Sequence, residues 1–164
     1  MKQLPYREGA WFAVPLRGGG YGVGVVARMA PTGRVLTGYF FGPKRAEAPS
    51  LDELRRARPD QAVLVQRFGD LHLVDEKWPI LGYLDDWRRD DWPMPAFGRH
   101  VEIDEKAWRV EYQNDNPNSV PRETRISVEE SQRLPDDGLL GAGLVEIMLT
   151  RLLGDQSAKS SLEN

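Results

Sequence analysis

No cysteine occurs in the 164 residues, which excludes a disulfide framework and any thiolate metal site. Histidine is almost as scarce, with only His72 and His100. Neither has a second ligand at helical i, i+4 spacing, and no G-x-S-x-G or comparable nucleophile context exists, so metal binding and nucleophilic catalysis have little to build on. No apolar run approaches the ~18 residues of a spanning helix. Residues 1–9 lack the apolar segment of a secretory signal. The expectation is a cytoplasmic protein without membrane contact, metal ion or cofactor.

What is present fits one globular unit. Hydrophobic residues make up 40% and charged residues 29% of the chain. A chain of this length buries roughly two-thirds of its unfolded surface without a covalent staple. Residues 1–154 are expected to form a single domain, and 155–164 a polar, disordered tail. Net charge is only -3, but residues 85–137 carry 14 acidic and 8 basic side chains while residues 1–84 carry 8 and 12. An acidic middle third suits a basic protein partner and repels nucleic acid.

Short apolar segments punctuated by glycine and proline dominate the first half. Residues 9–16 (G-A-W-F-A-V-P-L), 21–29 (Y-G-V-G-V-V-A-R-M) and 34–41 (R-V-L-T-G-Y-F-F) read as three strands of an antiparallel meander, joined by turns at 17–20 and 31–33. Gly22 and Gly24 mark a bulge, a bend or a close backbone approach. Ser50 and Glu53 have the spacing of a capping box opening a short helix that ends before Pro59. Further strands are expected at 61–69, continuing through 71–74, and at 77–84. Others are expected at 99–103 and 108–113, with 120–128 pairing back across the turn 114–118. The apolar residues Leu140, Leu144, Ile147, Met148 and Leu152 predict a helix over 139–153. The fold class is therefore α+β, mainly β: a strongly twisted antiparallel sheet or half-barrel with one short helix and a C-terminal helix.

The glycines of residues 18–24 do not form a phosphate loop. They lead into a β-branched strand rather than a helix, and no Lys-Ser/Thr follows. The most concentrated chemistry lies in residues 78–97, W-P-I-L-G-Y-L-D-D-W-R-R-D-D-W-P-M-P-A-F, which hold three of the five tryptophans, four aspartates and two arginines. The pairs Asp85-Asp86 and Asp90-Asp91 lack a D-x-D-x-D-G calcium pattern, and Arg88 and Arg89 beside them favour ionised, paired carboxylates over acid–base catalysis. Tryptophan and arginine are enriched at binding hot spots, and proline lowers the entropy lost on association. Asp85, Asp86, Trp87, Arg88, Arg89, Asp90, Asp91 and Trp92 are thus the candidate partner-binding residues. Trp78 is expected in the core, with Trp87 and Trp92 half-exposed.

Several of these motifs resemble the immunity protein 26 family of bacterial polymorphic-toxin systems. They are G-A-W-F-A-V-P-L (9–16) with the following Y-G-V-G-V-V, W-P-I-L-G (78–82), P-M-P-A-F (93–97) and the glutamate-bearing helix G-A-G-L-V-E-I-M-L (141–149). Two features depart from the family pattern: Ala10 stands where an acidic residue is expected, and D-D-W-R-R-D-D-W is peculiar to this chain. The resemblance implies a cytosolic, non-enzymatic protein that binds and neutralises a cognate toxin domain. That toxin is expected to be a nuclease whose basic groove the acidic loop complements. The curled sheet also leaves open an SH3-like module for a peptide or nucleic acid, which a clustered basic strip would favour. An enzyme would need a polar pocket around His72 or His100.

Overall fold

The computed structural model describes residues 3–163, with side chains described as far as Gly154. The tail expected over 155–164 lies outside the described side chains. Short, near-continuous apolar runs at its centre help build a six-stranded sheet from β1 (Ala10–Pro15), β2 (Tyr21–Met29), β3 (Val35–Arg45), β4 (Leu64–Gly69), β5 (Ile80–Tyr83) and β9 (Leu139–Leu140), in the order β5-β1-β2-β3-β4-β9. All its pairings are antiparallel except β4 with β9. A separate three-stranded antiparallel sheet holds β6 (Phe97–Val101), β7 (Lys106–Glu111) and β8 (Arg122–Ile126). The fold class is the expected one, mainly β with helices, but the strands divide between two sheets rather than one.

Because side chains alternate across a strand, β1 to β4 feed two cores. One face carries Phe12, Val14, Val26, Leu36, Phe40 and Phe68. It is covered by Trp78 and by helix α3 (Ala142–Glu163), which contributes Ala142, Val145, Leu149 and Leu153. Trp78 is fully buried, as expected, and stacks on Phe12 with ring centroids 5.6 Å apart. The opposite face carries Trp11, Val23, Val25, Ala27, Tyr39 and Phe41, and is covered by Leu54, Leu84 and Trp92. Gly22 and Gly24 explain themselves here. A Cβ on Gly22 would lie 2.7 Å from Leu149, and one on Gly24 would lie 2.5 Å from the Phe12 ring. Close approach requires both, and Gly22 also sits at the expected bulge, where the register with β3 shifts between Tyr21 and Val23.

Four local expectations are corrected. The segment after Ser50 is a 3-10 helix (Leu51–Arg56) in which the serine side chain makes no capping bond. Residues 71–74 form a single helical turn, α1 (Leu71–Val74), instead of continuing β4; its first turn bonds back to the Asp70 carbonyl. A helix that periodicity did not reveal, α2 (Val128–Gln132), is capped by the Ser127 hydroxyl, which accepts from the Glu130 amide. The C-terminal helix begins three residues late because Leu139 and Leu140 pair with β4. Its buried stripe is Val145, Leu149 and Leu153, whereas Leu144 and Ile147 are exposed. The helix is apolar over most of its circumference, so spacing alone did not choose the face.

Candidate functional site

The acidic-aromatic segment crosses the Trp11 face of the sheet, and the sheet dictates its path. A bulge between Val26 and Arg28, where β2 carries one residue more than β3, sets Arg28 opposite Thr37, the strand position two residues from Tyr39. Bulges re-aim side chains, and here Arg28 meets the loop. Its guanidinium, 4% exposed, donates to the carbonyls of Ala27 (2.6 Å) and Trp92 (2.9 Å) and lies 3.5 Å from Asp115. The Tyr39 hydroxyl donates to the Pro93 carbonyl at 2.6 Å, and Thr37 contacts the Met94 sulfur at 3.2 Å. Trp92 drops into the core between Trp11, Tyr39 and Phe41, with centroids 5.7, 5.3 and 5.9 Å away. The loop is therefore anchored within the fold by backbone acceptors and one large ring.

Of the two tryptophans expected to be half-exposed, Trp87 is and Trp92 is not: the latter is 5% exposed and serves as packing. Trp87 lies against Gly9, where φ is +91° and a Cβ would stand 3.0 Å from the indole. Only glycine meets both demands without strain. The polar members of the segment divide by role. Asp85 and Asp86 both pair with Arg55 of the 3-10 helix, at 2.8 and 3.1 Å, and Asp52 shares the same guanidinium at 3.2 Å. The hydrogen bond from Arg55 holds the Asp85 carboxyl below the usual carboxylate range. Arg89 turns aside to Glu8 (2.7 Å) and Asp115 (3.1 Å). Arg88, Asp90 and Asp91 are exposed and form no ion pair among the described residues.

Between this loop and the 3-10 turns of 51–61 lies an open cleft of about 540 Å³. Its deep, buried wall is Trp11, Leu54, Leu84 and Trp92, with Trp87 above them. Asp60, Asp86 and Asp91 alternate around it with Arg55, Arg58 and Arg88. Five of the eight candidate residues thus line one cavity. The other wall, Leu54 to Asp60, escaped sequence reasoning because nothing local links it to a loop about thirty positions later. The one available hint was the charge-dense run L-D-E-L-R-R-A-R-P-D. Arg28 was likewise missed, although a lone arginine inside V-V-A-R-M is a signal of a buried partner.

The histidines sit elsewhere. His72 Nδ1 lies 3.2 Å from Asp75, and its ring packs edgewise on Trp78 at 5.8 Å; His100 Nε2 lies 3.6 Å from Glu105. No group of three or more metal-ligating side chains converges among the described residues. No described helix is long and apolar enough to cross a membrane.

A family model, immunity protein 26, matches residues 7–109. That span holds β1 to β6, the whole acidic-aromatic loop and both walls of the cleft, while the C-terminal helix lies outside it. No curated protein and no solved structure matches the chain.

Proposed function

The chain belongs to the immunity protein 26 family, and from that premise we propose that it is a non-enzymatic cytoplasmic protein that binds and neutralises a cognate toxin domain of a polymorphic-toxin system. The observation that carries this reading is the pre-set loop 85–92. It offers four aspartates and Trp87 on a backbone already clamped by Arg28 and Tyr39. A surface that needs no ordering on association retains more of its contact energy as affinity. Exposed carboxylates around a partly buried indole give the charged rim and aromatic anchor of a protein interface.

The partner this surface complements is basic. A nuclease domain fits, because its substrate groove must carry positive charge, and opposed potentials speed encounter and set register. The loop then covers that groove or the surface beside it. The test is co-expression with a candidate cognate toxin domain. The account expects a complex that co-purifies, with affinity falling as salt rises. Changing Asp85, Asp86, Asp90 and Asp91 together to Asn is expected to weaken it at least tenfold. Unchanged affinity of that quadruple variant would refute the acidic-loop interface.

A further inference from the structure

The three-stranded sheet ends on an open edge. β8 (Arg122–Ile126) pairs with β7 along one side only, and its other side makes no main-chain hydrogen bond among the described residues. Unpaired main-chain donors and acceptors along a strand are a template for another strand. Proteins usually blunt such an edge with a bulge, an internal proline, a row of lysines or a covering element. β8 has none of these. Its register with β7 is unbroken, its sequence is R-E-T-R-I, and Arg122, Glu123, Thr124 and Arg125 are all exposed.

The order of charges selects the occupant. Arg125 stands opposite Trp108 and Glu123 opposite Val110, two residues apart and so on one face of the sheet. Glu123 pairs with Arg99 at 2.5 Å. Arg125 lies 5.5 Å from the centre of the Trp108 ring and has no ion pair among the described residues. We propose that β8 is an interface between two copies of this chain, joined antiparallel with Thr124 opposite Thr124, so that the two three-stranded sheets become one of six strands. That register sets each Glu123 opposite Arg125 of the second copy. Opposite charges and threonine pairs directly across two strands attract, whereas like charges repel. The same two-fold lays the stem of Arg122 beside Ile126 of the second copy, covering an apolar side chain that is only half-buried in the single chain. A strand of unrelated sequence gains the main-chain bonds alone, while a second copy supplies both ion pairs by symmetry. The contact is one short strand from each copy, below the size of a standard interface, so the dimer is weak and concentration-dependent. It lies outside the acidic-aromatic loop and does not depend on the toxin-binding reading.

The test is sedimentation velocity of the full chain over a concentration series up to about 1 mM, the range in which so small a contact associates. The mass should rise from 18.6 kDa toward twice that value. R125E sets glutamate opposite Glu123, and E123R sets arginine opposite Arg125, so each variant alone should self-associate about tenfold more weakly than the native chain. Mixed in equal amounts, the two variants restore both opposite-charge pairs, and the heterodimer should recover the native affinity. Both positions are exposed, and circular dichroism establishes that each variant is folded before mixing. Variants that associate like the native chain, or a mixture of folded variants no tighter than either alone, would overturn the two-fold register. A native chain that stays monomeric throughout would overturn the dimer and leave the edge to a strand of another protein.

Discussion

At the scale of single residues, the site depends on groups that never face a partner. Arg28 holds the Trp92 carbonyl and the Ala27 carbonyl from within β2. Replacing it with Met keeps the stem but abandons those acceptors, which is expected to cost about 1–3 kcal/mol. Thermal or urea unfolding of R28M should report that loss, and toxin affinity should fall with it although Arg28 is buried. Two tyrosines set the alkaline limit. Burial, and then hydroxyl bonds to Asp70 (2.5 Å) and Asp137 (2.6 Å), push the Tyr6 and Tyr112 hydroxyls well above their usual range. In the unfolded chain both ionise near pH ~10, so the stability they lend is complete below that pH and is lost as pH rises toward the folded values. Tm measured from pH 8 to 11.5 should hold level and then fall past ~10, and Y6F/Y112F should flatten the fall.

At the scale of elements, packing explains both what was legible and what was not. The first three strands were readable because glycine and proline turns isolate short, nearly continuous apolar runs, and the Cα register of β1, β2 and β3 follows them. Residues 71–74 misled because L-H-L-V suits a strand, whereas Asp70 and the tertiary position of Trp78 turn it into one helical turn. The helix α3 was visible, but its seat was not. Its orientation is fixed by Glu146, which accepts from Trp78 Nε1 (2.8 Å) and from Arg17 (3.0 Å) across three elements distant in sequence. Glu146→Ala should destabilise the fold by about 1–3 kcal/mol by leaving the buried indole donor unpaired. Glu146→Gln, which keeps an acceptor, should recover most of that. Urea midpoints of the two variants decide it; equal losses would mean that the carboxylate only fills space.

At the scale of the whole molecule, one sheet packs a core on each of its two faces. The Phe12 face is closed by α3 and Trp78 and supplies stability, while the Trp11 face is closed by the loop and the 3-10 turns and leaves a cleft. Half of that arrangement was legible. Trp87 and the aspartates announce themselves in the sequence, but Trp92 joins the core because the ring fits between Trp11 and Tyr39, and the Arg55–Asp60 wall arrives only through folding. The account stands on neutralisation of a toxin through the loop side. The direct measurement is growth of cells expressing a candidate cognate toxin domain with this protein, with the Asp85/Asp86/Asp90/Asp91→Asn variant, or with neither. The account predicts full growth with the native chain, little with the variant despite equal folded protein, and none without either. Equal protection by the variant would contradict the loop as the interface, and no protection by the native chain would contradict neutralisation of that toxin.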